Sequence, residues 1–598
     1  MTSITDGHSA PALQPYADLL KTAKPAEARK AVRELVVVAD DGEALKLAAR
    51  FAPVAGLAVD TLLRLWPTVA DPDGFAAGLL APAFRQEGRT ELKLRRVTSL
   101  AGLRHLTMLR TLTVERCKEI ADLTEIGALT ELRHLDLNGC AEVENLTPLS
   151  SLGNLTRLSL HRCRPVSDVK PLLALSRLRD LDLSMTRVDS VDGFGAAFPL
   201  LERLNMRGCR SFKSLAQLSG LTRLTHLDLG WTAIRDLTGL ANVPALASLD
   251  LASCKRLQDL NGIAAAPHLA ELVIEDCPRF RSFRGFGHHP RLTALAVKGC
   301  PELFDLRGLA ALTHLAELRI ADCERLASVT GIGPLPSLET VALDDCSALA
   351  DFAGLASLSG LRRLDLTGLG RVRDLSPFAS LSGLRELRLT RCPGLLDLTG
   401  LGSHTTLETL SVSDTGQLVS PGDLGELPAL RKLEFSGLPS LTDLGELAGT
   451  SVTELTLDRL GSLRSLGALE KCPGLQVLSV DRVPLPADFP VLLSLTRLHL
   501  SHLSWEDLSP LAGLTSLRSL RLGYLHELAD ISALVCLPDL AELLFGSHDA
   551  LTDLRPLLDM KALRRLNKSL QMNGQILDGR RDPVLAELAA RGLAIDRR

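Results

Sequence analysis

Leu132-Arg133-His134-Leu135-Asp136-Leu137-Asn138-Gly139-Cys140 is the stretch on which the reading of this chain turns. The alternation Leu135-x-Leu137 is the signature of a short strand, with the leucines on one side and the changeable residues on the other. The same frame returns at Leu155–Cys163, Leu224–Thr232, Leu269–Cys277, Leu292–Cys300, Leu315–Cys323, Leu361–Leu369 and Leu384–Cys392. Taking Leu135 and its equivalents as anchors gives 21 of them, from Leu112 through Leu158, Leu181 and Leu227 to Leu566. Of the 20 intervals, 16 are 23 residues, three are 22 and one, Leu478 to Leu498, is 20. A fixed period of this length means a stack of small units, each too small to fold alone, that bury a common interior between neighbours.

The rest of the composition agrees. With 598 residues the chain is too long for one ordinary core. Hydrophobic residues at 46% and charged residues at 23% exclude wholesale disorder. A net charge of -4 gives no overall attraction to nucleic acid or an anionic membrane. The most apolar early stretch, Phe51 to Trp66, is interrupted by Pro53, Asp60 and Arg64 and is too short to span a bilayer. Met1 to Ala10 lacks the basic start and apolar core of a secretory signal, which points to a cytoplasmic protein.

After each strand a small polar residue precedes a short apolar turn: Asp122, Asp168, Asp259, Asp305, Asp374, Asp397, Asp443, Asp530 and Asp553, with Ser214, Ser282 and Ser328 in the same place. Such residues cap the free amides of a one-turn helix, a structural use of the carboxylate. The full frame, Leu-x-x-Leu-x-Leu-x-x-Cys-x-x-Leu-x-Asp-Leu-x-x-Leu, resembles the leucine-rich-repeat family. It is nearest to the short SDS22-like class also found in internalins, and the resemblance covers about Leu103 to Leu570. It implies an α/β repeat solenoid, a horseshoe of about 21–22 repeats with a parallel concave sheet, and a protein that binds partners. Repeat class alone names no partner.

Ten cysteines sit five residues after an anchor: Cys117, Cys140, Cys163, Cys209, Cys254, Cys277, Cys300, Cys323, Cys346 and Cys392. No two are closer than 23 residues, so none forms a local zinc-ligand pair. Stacked neighbours at about 5 Å would be within disulfide reach by distance. Parallel side chains and a reducing compartment instead favour a ladder of free buried thiols. After Cys392 the position becomes Thr415, then Leu438, Leu460, Val483, Leu503 and Leu525, an apolar block. Cys472 and Cys536 fall outside the ladder. Pro484, Pro486 and Pro490 crowd the shortened repeat and predict an irregularity there.

Four segments follow: a disordered tail over 1–12, a helical N-terminal cap or adaptor over 13–89, the solenoid over 90–571, and a C-terminal cap helix in 572–598. Thr90-Glu91-Leu92-Lys93-Leu94 resembles a degenerate first strand, and Asp582-Pro583 is a helix start.

Catalytic motifs are missing. No lysine follows a glycine, so a Walker loop is excluded, and His-Glu-x-x-His, Gly-x-Ser-x-Gly and Cys-x-x-Cys do not occur. The chain reads as a non-enzyme without cofactor or metal. Its working surface is expected on the exposed strand positions, where the column after the anchor holds Asp136, Asp182, Asp228, Asp250 and Asp365 as an acidic ridge. Trp231 beside Asp228 and His226 is the leading partner-binding candidate, with Arg207 nearby, and Arg521 with Tyr524 is the second, since Trp, Tyr and Arg are the usual interface anchors. The function read from these features is a scaffold that recognises a protein through its concave face, with no nucleic acid and no membrane insertion. The rival reading is the sensor component of an NLR-like signalling or defence system acting with a separate ATPase or effector.

Overall fold

A computed structural model describes residues 10–38, 42–485, 489–548, 550–567, 571–572, 575–576 and 582–596. The chain divides into two compact units, residues 1–277 and 278–598.

The first unit opens with helices α1 (Ala10–Leu19), α2 (Pro25–Leu35), α3 (Glu43–Ala55), α4 (Val59–Leu65), α5 (Pro72–Phe75) and α6 (Ala81–Gln86). The tail expected over residues 1–12 lies outside the described residues up to residue 9, and α1 begins at Ala10. Ala28, Val32, Leu35, Phe51, Leu62, Phe75 and Phe84 bury the common face of these helices. The bundle docks on the first repeat through Asp73, which takes Arg104 at 2.8 Å and His105 at 3.1 Å. The Arg104 guanidinium holds the Asp73 carboxyl below the usual carboxylate range. Gly102, at φ +87°, lies so close under the Pro72 carbonyl that a Cβ there would overlap it.

Nine parallel strands follow: β1 (Glu91–Arg95), β2 (Thr111–Glu115), β3 (His134–Asp136), β4 (Arg157–Ser159), β5 (Asp180–Asp182), β6 (Arg203–Asn205), β7 (His226–Asp228), β8 (Ser248–Asp250) and β9 (Glu271–Glu275). In register, Leu92 faces Leu112, which faces Leu135, then Leu158, Leu181, Leu204, Leu227, Leu249 and Leu272. Two one-turn helices, α7 (Thr124–Gly127) and α8 (Phe194–Ala197), and several 3-10 turns run on the other side.

The second unit repeats the plan with β10 (Ala294–Lys298), β11 (Glu317–Ala321), β12 (Thr340–Asp344), β13 (Arg363–Thr367), β14 (Glu386–Thr390), β15 (Thr409–Ser413), β16 (Lys432–Ser436), β17 (Glu454–Asp458), β18 (Val477–Asp481), β19 (Arg497–Ser501), β20 (Ser519–Gly523) and β21 (Glu542–Phe545). The short repeat does not disturb the register, because Leu478 faces Leu498 directly. The irregularity expected around Pro484, Pro486 and Pro490 falls partly on residues 486–488, outside the described residues. A small side sheet joins β22 (Ser547–His548), β24 (Gln571–Met572) and β25 (Gln575–Ile576). The main sheet ends with β23 (Arg565–Asn567) and β26 (Ala594–Asp596), which follows helix α9 (Pro583–Ala590). Asp582 caps α9 by accepting from the amides of Val584 and Leu585. The closing strand β26 lies in the segment expected to hold only a cap helix and has no repeat signature. Both units are leucine-rich-repeat solenoids.

One backbone feature recurs throughout. Fifteen non-glycine residues have positive φ, and every one stands four places after an anchor, from Arg96 to Tyr524. Gly139, Gly208, Gly299, Gly368 and Gly437 fill the same place in five more repeats. A left-handed residue costs roughly 1–2 kcal/mol when it carries a Cβ. The cost is offset in two ways. The amide at this position donates to the neighbouring strand, as Arg116 does to Asn138 O at 2.8 Å and Trp231 to Ala252 O at 2.8 Å. The turn also swings the next residue, the ladder position, into the interior.

Every ladder cysteine is buried. The thiols donate to strand carbonyls one repeat back: Cys140 to Val114 O, Cys163 to Leu137 O, Cys209 to Leu183 O and Cys254 to Leu229 O, each at 3.2 Å. Thr186 and Thr232 interrupt the column and turn their hydroxyls onto Leu183 O and Leu229 O. Burial pushes the thiols of Cys140, Cys163 and Cys254 up to about 12 and those of Cys209 and Cys392 up to about 11. Because the thiolate is the reactive species, an alkylating reagent near neutral pH should modify Cys536, the one exposed cysteine, and reach the ladder only after denaturation. Peptide mass spectrometry of native protein checks this, and labelling of Cys163 or Cys254 as fast as Cys536 would contradict it.

Candidate functional site

The alternation of the strands decides which side chains are offered. In the first unit the position after each anchor carries Asp136, Ser159, Asp182, Asn205, Asp228 and Asp250 on β3 to β8. Their short polar side chains fold back on the backbone. Asp136 Oδ1 accepts from the Asn138 amide at 3.0 Å, Asp182 from Ser184 at 2.9 Å, Asp228 from Gly230 at 2.8 Å and Asp250 from Ala252 at 2.7 Å. Asn205 does the same for Arg207 at 2.9 Å. Side chain and ladder compete for that amide, and β3 to β8 accordingly span three residues where most other strands span five. Asp365 on β13 shows the converse. Its Oδ2 accepts from Arg363 at 3.0 Å, and the strand keeps five residues. The acidic column is therefore part of the backbone's hydrogen bonding as well as part of the surface.

Asp182, Asp228, Asp250 and His226 line one depression of about 270 Å³, together with Asp180, Arg203, Asn205 and Ser248. Arg207 reaches over it, 3.2 Å from Asp250 Oδ2 and 3.8 Å from Asp228 Oδ2. Asp180 is held by Arg157 at 3.2 Å and by Arg203 at 3.9 Å. Burial pushes the Asp228 carboxyl above the usual carboxylate range, and neighbouring Asp250 adds to this, while the Gly230 amide and Arg207 pull it back. Asp136 is raised by burial too, but it lies two strands away on β3 and does not line the depression.

Trp231 is elsewhere. It occupies the left-handed place after β7, at φ +63°, and is 39% exposed. Its ring stacks under Arg210, 5.7 Å away, in a separate depression lined also by Thr232, Ser253, Lys255 and Arg256. Asp228 and His226 do not line it. Sequence proximity placed the three together; the turn at Gly230-Trp231 carries the indole off the strand face onto the rim. In the second unit Tyr524 holds the same left-handed place at φ +53° and stacks on His502, centroids 4.7 Å apart. Arg521 is paired in register with His499. Burial, then the charge of Arg521, lowers the pKa of that histidine.

One hydrogen-bonded chain has the residue types of a hydrolase. Ser184 Oγ donates to Asp182 Oδ1 at 2.5 Å, and His161 Nδ1 lies 2.6 Å from the same hydroxyl. The order is unsuited to nucleophilic catalysis, because the carboxylate takes the serine proton and leaves the imidazole as donor. Ser184 is also buried.

No family model matches this chain, and no curated relative does. Among solved structures it is similar to TLR13 in a complex with ssRNA13, at 16% identity over 79% of this chain and 86% of that one, with a TM-score of 0.38. Mouse RP105 in the RP105/MD-1 complex shares 17% identity over 84% of each chain, at 0.41. The functional domain of InlJ from Listeria monocytogenes, whose description includes a cysteine ladder, shares 15% over 77% and 74%, at 0.25. Likeness at this level bears on neither site nor partner. The fold rests on the chain's own geometry: leucine anchors in register on parallel strands form a leucine-rich-repeat solenoid.

The charge of Asp228 can be tested directly. A carboxyl whose folded pKa is raised contributes stability that is complete below its unfolded value and is lost as pH rises through the folded one. Asp228→Asn keeps the bond to Gly230, as Asn205 does one strand away, and removes the unfavourable charge. Its Tm at neutral pH should equal or exceed wild type, with the difference closing as pH falls towards the ordinary value of 3.8. Asp228→Ala loses the bond and should cost about 1 kcal/mol at either pH. Thermal unfolding across this pH range separates the two.

Proposed function

We propose that this chain is a non-catalytic scaffold that binds a protein through the strand face of its first unit, where β5 to β8 receive basic side chains of the partner. The observation that carries this is the fixed aim of three carboxylates. Asp182, Asp228 and Asp250 each tie Oδ1 to a backbone amide and line one depression, where Arg207 reaches Oδ2 of Asp228 and Asp250. Side chains held this way lose little rotamer freedom on binding, which is the usual cost of a charged interface. An incoming cation would also offset the repulsion from Asp250 that adds to the effect of burial on Asp228. Among the described residues no helix is long and apolar enough to cross a membrane. The free thiols favour a reducing compartment, the cytoplasm.

The experiment is affinity capture from the native host with wild type and with the triple variant Asp182→Asn, Asp228→Asn, Asp250→Asn. The amides preserve the backbone bonds, so the fold is retained while the charge is lost. Partners captured by wild type should be depleted at least about tenfold with the variant, the size of effect expected for losing buried charge pairs. An unchanged partner set would remove this face from consideration.

A further inference from the structure

The first unit carries a second surface whose charge is opposite to that of its strand face. Basic side chains on the strands are neutralised: Lys93 and Arg95 by Glu115, Arg157 and Arg203 by Asp180, Arg207 by Asp228 and Asp250. On the rim where the chain leaves the strands, the pattern reverses. Arg96, Arg116 and Lys118 line one depression of about 500 Å³ beside the first two strands, with Glu119 as its one acid. Arg210, Lys255 and Arg256 line another of about 220 Å³ beside the seventh and eighth, with Trp231 and no acid. Arg162, Arg164 and Arg187 stand on the repeats between. All nine cations are exposed, and none makes an ion pair among the described residues. Eight of them occupy two columns, four and six places after the anchor, with Arg256 one place further on, so the register that aligns the leucines aligns them as well.

We propose that this rim binds an extended acidic segment of a protein. The inference is independent of the strand-face reading. Eight strands at about 4.7–4.9 Å per step span roughly 34 Å, the length of about ten residues of extended chain. Unpaired cations along such a line attract anionic side chains without first having to break an internal pair. Two observations favour a peptide over nucleic acid. Trp231 is the one aromatic in either depression, and Arg210 already covers it, so no series of stacking platforms exists for bases. The carboxylates of β3 to β8 flank the rim, and they would repel a broad polyphosphate more than a narrow chain lying along the edge.

The test uses the purified full chain and a fluorescein-labelled peptide of about ten alternating Asp and Glu residues, with an oligo(dT) of matched length as the second probe. Anisotropy should show wild type binding the peptide, more weakly as salt is added. The triple variant Arg116→Glu, Arg164→Glu, Arg187→Glu should bind it at least about tenfold more weakly. Its Tm should stay unchanged, since these side chains are exposed and unpaired. The strand-face triple Asn variant should bind the peptide as well as wild type or better, which separates the two surfaces. Equal peptide binding by wild type and the rim variant, or no peptide binding by wild type, overturns the proposal. Tighter binding of oligo(dT) than of peptide replaces it with a nucleic-acid surface.

Discussion

Everything in this molecule depends on the leucines of neighbouring repeats meeting in register. Each repeat buries its anchor and the residue two places on, and the anchor's neighbours on either side are the anchors of the adjacent repeats. Leu135 is shielded because Leu112 and Leu158 lie on adjacent strands. A slip of one residue would turn the interior of a whole strand to solvent, so the burial fixes the alignment of every other column. The shortened interval before Leu498 shows the strength of this rule: the loop is shorter by three residues and the strands still meet anchor to anchor.

The second constraint follows from the first. To send the ladder residue back into the core, the chain must reverse its curvature just after the strand, and it does so with one left-handed residue per repeat. Five repeats use glycine there. Fifteen others place arginine, aspartate, methionine, serine, histidine, tryptophan or tyrosine in a conformation that costs a side chain about 1–2 kcal/mol. The hydrogen bond to the next repeat and the burial of the following residue hold that geometry. The consequence for recognition is that these side chains are thrown outward on the rim, away from the strand face.

Charge is then sorted by position. In the first unit the carboxylates after the anchors bend onto their own backbone, and Glu115, Asp180, Asp228 and Asp250 hold the neighbouring cations in pairs. In the first unit the cations at and beyond the left-handed turn make no ion pair among the described residues, whereas Arg391 and Arg459 of the second unit are paired with Asp345 and Asp414. A chain with a small net charge thus presents, in its first unit, an acidic face and a basic edge within one repeat's width. The catalytic residue types that do meet, His161, Ser184 and Asp182, are spent on the same structural bonding.

The sequence by itself determined the repeat, the strands, the buried leucines and the inward place of the cysteines, because each follows from periodicity and periodicity is local. The leucine-rich-repeat solenoid was legible from Leu135 and its equivalents alone. The site was less so. The acidic column was visible, but its bonds to the amides two residues on depend on backbone angles that no spacing reveals. Trp231 was separated from Asp228 by a turn whose left-handed residue is not a glycine, so nothing in the sequence announced it. The basic edge was written in Lys118, Arg164, Arg187, Arg210 and Lys255, each six places after an anchor, yet it acquired meaning only when stacking brought residues a repeat apart to within about 5 Å. Long-range electrostatics depends on distances in space, and those are set by the tertiary fold.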